Sequence, residues 1–144
     1  MTRARCATAR ALRAQFLLAR NGLRATRQRV TIASLLFCGE HSHTTAEALY
    51  DRALGEGHQL SLATVYNTLH QFSKAGLIRE IAIDAAQSFF DTNTSSHSHF
   101  YDEQSGQLLD IDGDVKVDGV PPPPAGFAVK YVDVVVRLTP AAKA

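Results

Sequence analysis

The stretch that decides the fold is SLATVYNTLHQFS, residues 61–73. Apolar residues recur along it at helical spacing, namely Leu62, Val65, Leu69 and Phe72. This pattern predicts an amphipathic helix with one buried face, capped by Ser61 and ended by Gly76. The other side chains carry hydroxyl and amide groups that suit DNA bases and phosphates. The predicted DNA-contacting residues here are Thr64, Tyr66, Asn67, Thr68 and Gln71.

The flanking sequence predicts three helices before this stretch and a β-hairpin after it. The first helix is predicted over Ala9–Arg20, with Leu12 and Phe16 on its buried stripe. The second is predicted to begin at a Thr26 cap, and the third at a capping box of Thr44 and Glu47. After Gly76 the apolar period changes to two, which predicts a hairpin of strands 77–83 and 87–91. This order is typical of a winged helix-turn-helix, whose second motif helix enters the major groove.

The polar residues 93–96 predict a hinge between two domains. Residues 1–92 are predicted to form a winged-helix DNA-binding domain, and residues 97–140 a dimerisation domain. Short strands are predicted at 99–102, 107–111 and 129–138. Such a thin sheet has exposed edges, which pairing with a second copy would cover. The predicted fold class is therefore α+β, with a winged helix followed by a small α/β or mainly β domain.

Charge is distributed unevenly along the 144 residues. Residues 1–39 hold eight arginines and no acid, whereas residues 40–144 hold seven basic and fourteen acidic residues. An arginine-rich end on an acidic body indicates a polyanionic partner, with nucleic acid favoured over membrane and a solvated tail as the simpler alternative. Arg20 is the strongest candidate for a minor-groove or phosphate contact. Arg24, Arg27 and Arg29 are weaker candidates, because each could simply be solvated.

Other compositional features narrow the class of protein. No apolar run approaches the length that crosses a bilayer, and no export signal is evident. The only cysteines, Cys6 and Cys38, cannot build a disulfide scaffold, so a reducing cytoplasm is expected. Motifs for catalysis are missing, and the protein is expected not to be an enzyme. A small metal-dependent hydrolase and a metal- or haem-trafficking module stay as alternatives.

Histidines at alternate positions suggest a metal site. His97 and His99 would lie on the same side of one strand, after Asp91 and the hinge, while His43 precedes the third helix. Three imidazoles and a carboxylate suit zinc, manganese or ferrous iron. His97, His99 or Cys6 could instead ligate haem iron. The simpler alternative is that these histidines are surface residues without a ligand.

Together these stretches resemble the ferric uptake regulator (Fur) superfamily, and within it the iron response regulators, Irr. The matching pieces run across nearly the whole chain: GLRATRQR (22–29), HTTAEALY (43–50), ATVYNTLHQF (63–72), AGLI (75–78), FDTN (90–93), HSHF (97–100) and VDVVVR (132–137). Asn67, where most Fur proteins carry arginine, and the missing thiolate zinc motif are both similar to Irr. Ser98 interrupts the run of three histidines that Irr proteins commonly show, and Tyr131 stands where Irr often has a histidine.

The resemblance implies a cytoplasmic homodimer that binds double-stranded operator DNA and regulates transcription in response to iron or haem. Arg20, Tyr66 and Asn67 match the family's DNA-contacting positions. The regulatory metal ligands match His43, Asp91, His97 and His99. A repressor that responds to zinc, manganese or peroxide is the alternative within the family.

Overall fold

The computed structural model describes residues 3–143, which contain four helices and six strands. Their bounds are α1 Arg3–Arg20, α2 Arg27–Leu36, β1 His43–Thr44, α3 Ala46–Gly55, α4 Leu62–Lys74, β2 Arg79–Ala82, β3 Ser88–Asp91, β4 His99–Asp102, β5 Gln107–Asp110 and β6 Val135–Leu138. The chain divides into a helical unit that ends at Thr94 and a second unit that begins at Ser95. Each unit holds one three-stranded sheet, with strand orders β1-β3-β2 and β5-β4-β6. The predicted α+β fold class is confirmed, and the second unit is mainly β.

The helical unit is built around α4. Its predicted apolar face is confirmed at Val65, Leu69 and Phe72, which are fully buried, whereas Leu62 in the first turn is partly exposed. The three buried side chains pack into one core with residues of the three other helices, among them Leu18, Ile32 and Leu49. Gly76 adopts a positive φ of 77° that ends the helix, as predicted, and the Leu77 amide donates to the Phe72 carbonyl.

Two of the predicted helix caps are confirmed, and one is wrong. The Thr26 hydroxyl accepts a hydrogen bond from the Arg29 amide at 3.3 Å, and the Ser61 hydroxyl accepts one from the Thr64 amide at 3.1 Å. At α3 the capping residue is Thr45, whose hydroxyl accepts from the Ala48 amide at 3.2 Å. Thr44 does not cap the helix because it lies in β1, where it pairs with Phe90 of β3.

The first helix differs from its prediction in extent and in its buried face. It begins at Arg3, because the preceding alanines and arginines are good helix formers without a breaker among them. Ala14 and Leu18 form the buried stripe, whereas Leu12 and Phe16 are 60% and 68% exposed. The helix carries apolar residues on both faces, and the face with the small Ala14 is the one that packs against α2.

The predicted wing is present and has a third strand. β2 and β3 pair antiparallel, with Arg79 opposite Asp91. The two-residue β1, which was not predicted, pairs with the other side of β3 and places His43 opposite Asp91. The backbone of Ser42 is also bonded to Thr92, through the Ser42 amide and the Thr92 hydroxyl at 2.9 Å. The segment before α3 is therefore fixed to the wing.

The second unit consists of a hairpin and a distant third strand. The strands predicted at 99–102 and 107–111 are present as β4 and β5, which pair antiparallel, and β6 pairs parallel to β4, with His99 opposite Val135. The last strand is shorter than the predicted 129–138, because β4 offers only four residues for pairing. Residues 111–134 connect β5 to β6 without helix or strand and include the stiff Pro121–Pro124 run. Between residues 3 and 143, no helix has the length and apolarity that a membrane span requires.

Candidate nucleic-acid interface and metal centre

The exposed face of α4 presents two amide side chains one helical turn apart. Asn67 and Gln71 are both exposed, and they border a shallow pocket of about 250 Å³ between α4 and the start of α2. Thr64, also at this pocket, is half-buried, and its hydroxyl lies 3.0 Å from the Ser61 hydroxyl. These groups can donate and accept hydrogen bonds, as base edges and phosphates require.

Thr68 also borders this pocket but contributes little surface to it. It is only 5% exposed and lies on the side of α4 that also buries Val65 and Phe72. Thr68 carries the same hydroxyl group as Thr64. It lies three residues after the buried Val65, however, and residues at this spacing share one face of a helix, so Thr68 faces the core. The prediction of an outward Thr68 is therefore wrong.

Tyr66 is oriented by the neighbouring helix. Its hydroxyl donates a hydrogen bond to a carboxylate oxygen of Glu47 in α3. This bond raises the pKa of Tyr66 above its ordinary value of 10.0, because it stabilises the protonated phenol. The ring also stacks on His70, with 6.2 Å between ring centroids and 23° between planes. Glu47, the expected capping-box partner, thus serves to hold the tyrosine instead.

Arg29 is a structural link between α2 and α4, and not the solvated cation that its sequence context allowed. Its Nη1 donates to the Arg24 carbonyl at 3.0 Å. Its Nε and Nη2 donate to Oε1 of Gln71 at 3.2 and 3.0 Å. Arg20, by contrast, is exposed in the last turn of α1. Arg20 is therefore accessible to a polyanion, whereas the guanidinium of Arg29 is already engaged in hydrogen bonds within the protein.

Two histidines and an aspartate converge in the second unit. Oδ1 of Asp110 lies 3.2 Å from Nε2 of His99 and 3.5 Å from Nε2 of His97. The two imidazole centroids are 4.4 Å apart, and the ligand atoms of all three residues lie within 4.8 Å of one another. His99 is only 3% exposed, so this side of the three-residue cluster is buried in the protein.

The tautomer of His97 suits a ligand role. Its Nδ1 lies 2.8 Å from the Ser95 carbonyl oxygen, which can only accept a hydrogen bond. Nδ1 therefore carries a proton, and Nε2 is the nitrogen that faces Asp110. A backbone carbonyl that fixes the non-ligating nitrogen is the usual partner of a metal-binding histidine. Two imidazole nitrogens and a carboxylate oxygen fit zinc, manganese or ferrous iron.

The other two predicted ligands lie together in the helical unit. His43 and Asp91 are register partners across β1 and β3. Asp91 is buried, and one of its carboxylate oxygens accepts from the Asn93 amide at 2.8 Å. The His43 ring meets Phe89 edge-on, with 6.1 Å between centroids. The four predicted ligands thus form two pairs, one in each unit.

Asp110 is the site residue that sequence reasoning missed. The predicted ligand set contained only His43, Asp91, His97 and His99. The signal was available in the predicted strands 99–102 and 107–111, because a four-residue turn between them puts residue 99 opposite residue 110. Applying the hairpin register would have brought Asp110 to His99.

A winged helix joined to a small β unit with a histidine–carboxylate cluster defines a two-part winged-helix protein with a candidate metal centre. The chain belongs to the Ferric uptake regulator family, whose model matches residues 20–121. Members of this family are metal-responsive transcription regulators that bind operator DNA and form dimers, and they are not enzymes.

Individual relatives agree with this membership. The chain is 36% identical over 94 residues to the peroxide-responsive repressor PerR of Staphylococcus saprophyticus, a match that covers 65% of this chain and 63% of that protein. It is also 36% identical over 90 residues to PerR of Staphylococcus aureus strain Mu50, covering 62% of this chain and 60% of that protein. The matched part is therefore less than two thirds of each relative's length.

Solved structures share the fold. The ferric uptake regulator of Pseudomonas aeruginosa with manganese aligns with a TM-score of 0.66 at 24% identity, covering 90% of this chain and 98% of that chain. The Vibrio cholerae ferric uptake regulator aligns with a TM-score of 0.67 at 22% identity, covering 85% and 96%. At these identities the likeness establishes the fold alone.

Proposed function

We propose that the protein is a transcription regulator that binds operator DNA as a homodimer and changes its DNA affinity when iron or haem binds. The observation that carries the proposal is the division of α4 into two faces. One face is fully buried in the helical core, and the other presents exposed Asn67 and Gln71. Side chains of α2 and α3 hold this second face in place, as a helix that reads the major groove requires.

The proposed DNA contacts combine base readout with phosphate binding. The residues are Arg20, Thr64, Tyr66, Asn67 and Gln71, with Thr68 removed from the set. Arg20 would contact phosphate or the minor groove beside the helix. The eight arginines and absence of acids in residues 1–39 support a strong electrostatic component. We therefore expect binding to weaken steeply as salt rises.

The proposed metal ligands are His97, His99 and Asp110, with His43 and Asp91 completing the set. A bound cation would supply a fixed positive charge that holds these donors together. A ligand that favours one arrangement of the two units would shift the population toward it and change how paired recognition helices meet their half-sites. His97 and His99 are also the proposed haem ligands.

The choice of signal rests on the resemblance to Irr, and one observation favours a second candidate. The PerR relatives match at 36% identity, which supports a peroxide-responsive repressor as the alternative. Zinc and manganese are compatible with the same nitrogen and oxygen donors. A DNA affinity that changes with peroxide, zinc or manganese and not with iron or haem would select this alternative.

A homodimer through the second unit is supported by its exposed apolar surface. β6 lies at the edge of the sheet in the order β5-β4-β6. Large apolar side chains of this unit are exposed, namely Leu109, Phe127, Val129, Tyr131, Val132 and Val136. A second copy would cover both the edge and these side chains.

The proposal is tested by mobility shift with duplexes selected from a randomised pool. Metal-free protein is compared with protein given ferrous iron, manganese, zinc or haem, and with iron-loaded protein treated with peroxide. The double variant His97→Ala/His99→Ala should bind DNA without responding to ligand, whereas His41→Ala, an exposed histidine outside the site, should respond normally. Failure to select any sequence would overturn DNA regulation, and a normal response of the double variant would overturn the site.

A further inference from the structure

The side-chain oxygen of Gln71 is held by a guanidinium group. Nε and Nη2 of Arg29 lie 3.2 and 3.0 Å from it. An arginine has only donors, so the atom that faces it must be the amide oxygen and not the amide nitrogen. The orientation of the Gln71 amide is thus fixed by the chemistry of its partner.

Arg29 is itself held in place from a third direction. Its Nη1 donates to the Arg24 carbonyl at 3.0 Å, so all three nitrogens of the guanidinium are engaged. Bonds from a charged donor are stronger than those between neutral groups. Arg29 is therefore a positioning residue that faces Gln71, and the Gln71 oxygen is occupied before any DNA arrives.

The Gln71 nitrogen is left as the group that a ligand can meet. Within residues 3–143 the structure gives it no hydrogen-bond partner, and the side chain is exposed. Asn67, one turn earlier on the same face, has no comparable clamp on its amide in that range. On the exposed face of α4, Gln71 thus offers only a hydrogen-bond donor, whereas Asn67 offers both a donor and an acceptor.

We propose that Gln71 is a specificity-determining residue that acts only as a donor and selects a base with a major-groove acceptor. The inference rests on the proposed function and deepens it. A glutamine that reads adenine uses its oxygen for the N6 amino group and its nitrogen for N7. With the oxygen held by Arg29, the nitrogen can serve only an acceptor, which guanine offers at O6 and N7, thymine at O4 and adenine at N7 alone. Adenine would leave its N6 amino group facing no acceptor on Gln71, so guanine or thymine is favoured over adenine at the Gln71 position of each half-site.

The test is operator selection from a randomised duplex pool with full-length protein and three variants. Gln71→Ala identifies the contacted base pair as the position whose preference is lost. Gln71→Glu keeps one oxygen on Arg29 and turns a second oxygen outward, which reverses the outward group from donor to acceptor. The preference at that position should change to cytosine, whose N4 amino group is a donor, by about 10- to 150-fold, as expected for one hydrogen bond to a charged group. Gln28→Glu is the matched control, because it places the same charge at an exposed glutamine at the edge of the same pocket.

A fourth variant tests the role of Arg29. Arg29→Met releases the Gln71 oxygen, and adenine should then be accepted at the same position. A Gln71→Glu protein with unchanged base preference, or a wild-type protein that selects adenine there, would overturn the inference while leaving DNA regulation intact. If wild-type protein selects no sequence from the pool, the proposed function fails and the inference fails with it. Circular dichroism of each variant verifies that it is folded. If Arg29→Met does not fold, the base preference of Gln71→Glu still tests the inference.

Discussion

His99 and Asp110 face each other across the β4–β5 hairpin, with 3.2 Å between Nε2 of His99 and Oδ1 of Asp110. His97, two residues before His99, directs its own Nε2 to the same oxygen at 3.5 Å. One carboxylate oxygen therefore marks the point at which both imidazoles converge. Asp110 is as much a part of the candidate metal centre as the histidines that the sequence motif suggested.

Replacing Asp110 by Asn should weaken binding of manganese or zinc by about 10- to 100-fold, a typical cost of disturbing a metal site. The amide retains the size of the carboxylate but loses its negative charge. Titration calorimetry on metal-free protein measures the effect. Asp112→Asn, two residues further on and exposed, is the control and should bind as the wild type does. Equal affinities for the two variants would remove Asp110 from the site.

Two phenylalanines in the helical unit should differ sharply in their contribution to stability. Phe72 is fully buried in the core, whereas Phe16 is 68% exposed on α1. Phe72→Ala should lower the free energy of unfolding by about 3–5 kcal/mol. Phe16→Ala should change it by no more than about 0.5 kcal/mol. Urea denaturation followed by circular dichroism compares them, and a large loss for Phe16→Ala would contradict the buried face assigned to α1.

The N-terminus of α3 should depend on Thr45 and not on Thr44. Thr45→Val removes the hydroxyl that accepts from the Ala48 amide and should cost about 0.5–2 kcal/mol of stability. Thr44→Val keeps a β-branched residue in β1 and should cost much less. Thermal unfolding of the two isosteric variants gives the comparison. A greater loss for Thr44→Val would restore the capping box expected from the sequence.

Neighbouring residues Asn67 and Thr68 should separate DNA binding from stability. Asn67→Ala should weaken binding to the selected operator and leave the unfolding transition unchanged, because its side chain is exposed. Thr68→Ala should lower the midpoint temperature of unfolding and leave the DNA affinity of the folded protein unchanged, because the Thr68 side chain is buried. Fluorescence anisotropy and thermal denaturation measure the two properties. Loss of affinity in a fully folded Thr68→Ala protein would return Thr68 to the interface.

The turn between β4 and β5 should respond to acid through Asp102. The Ser105 hydroxyl donates to this carboxylate at 2.6 Å and the Gln104 amide at 2.9 Å, and these bonds hold the pKa of Asp102 below its ordinary value of 3.8. Because the pKa is lower in the folded state, the carboxylate stabilises the turn above about pH 3.8 and ceases to do so as the pH falls through the folded pKa. Ser105→Ala should raise the pKa of Asp102, as followed by carbon NMR of the carboxyl group. An unchanged titration curve would show that the serine bond has no role.

The elements that could be predicted were those with a local signal. The cap of Ser61, the apolar spacing of Val65, Leu69 and Phe72, and the stop at Gly76 all act within a few residues, and the structure agrees with each. The strands β4 and β5 were also predicted, but their pairing as a hairpin was not.

Other features depend on distant parts of the chain. Thr44 was assigned to a cap because its spacing from Glu47 is right, but its pairing with Phe90 in β3 takes precedence. The buried face of α1 could not be chosen from Leu12 and Phe16, because the small Ala14 allows the closer packing on α2. The clamp of Arg29 on Gln71 joins residues 42 positions apart, a separation at which no motif gives a signal.

The parallel pairing of β4 with β6 affects the order in which the chain folds during its synthesis on the ribosome. The helical unit completes its core with residues that precede Thr94, so it can fold while the rest of the chain is still being translated. The β4–β5 hairpin that carries His99 and Asp110 gains its third strand only when Leu138 has emerged, and an isolated hairpin is marginal in water. A nascent chain therefore acquires the helical unit before the three-stranded sheet of the second unit.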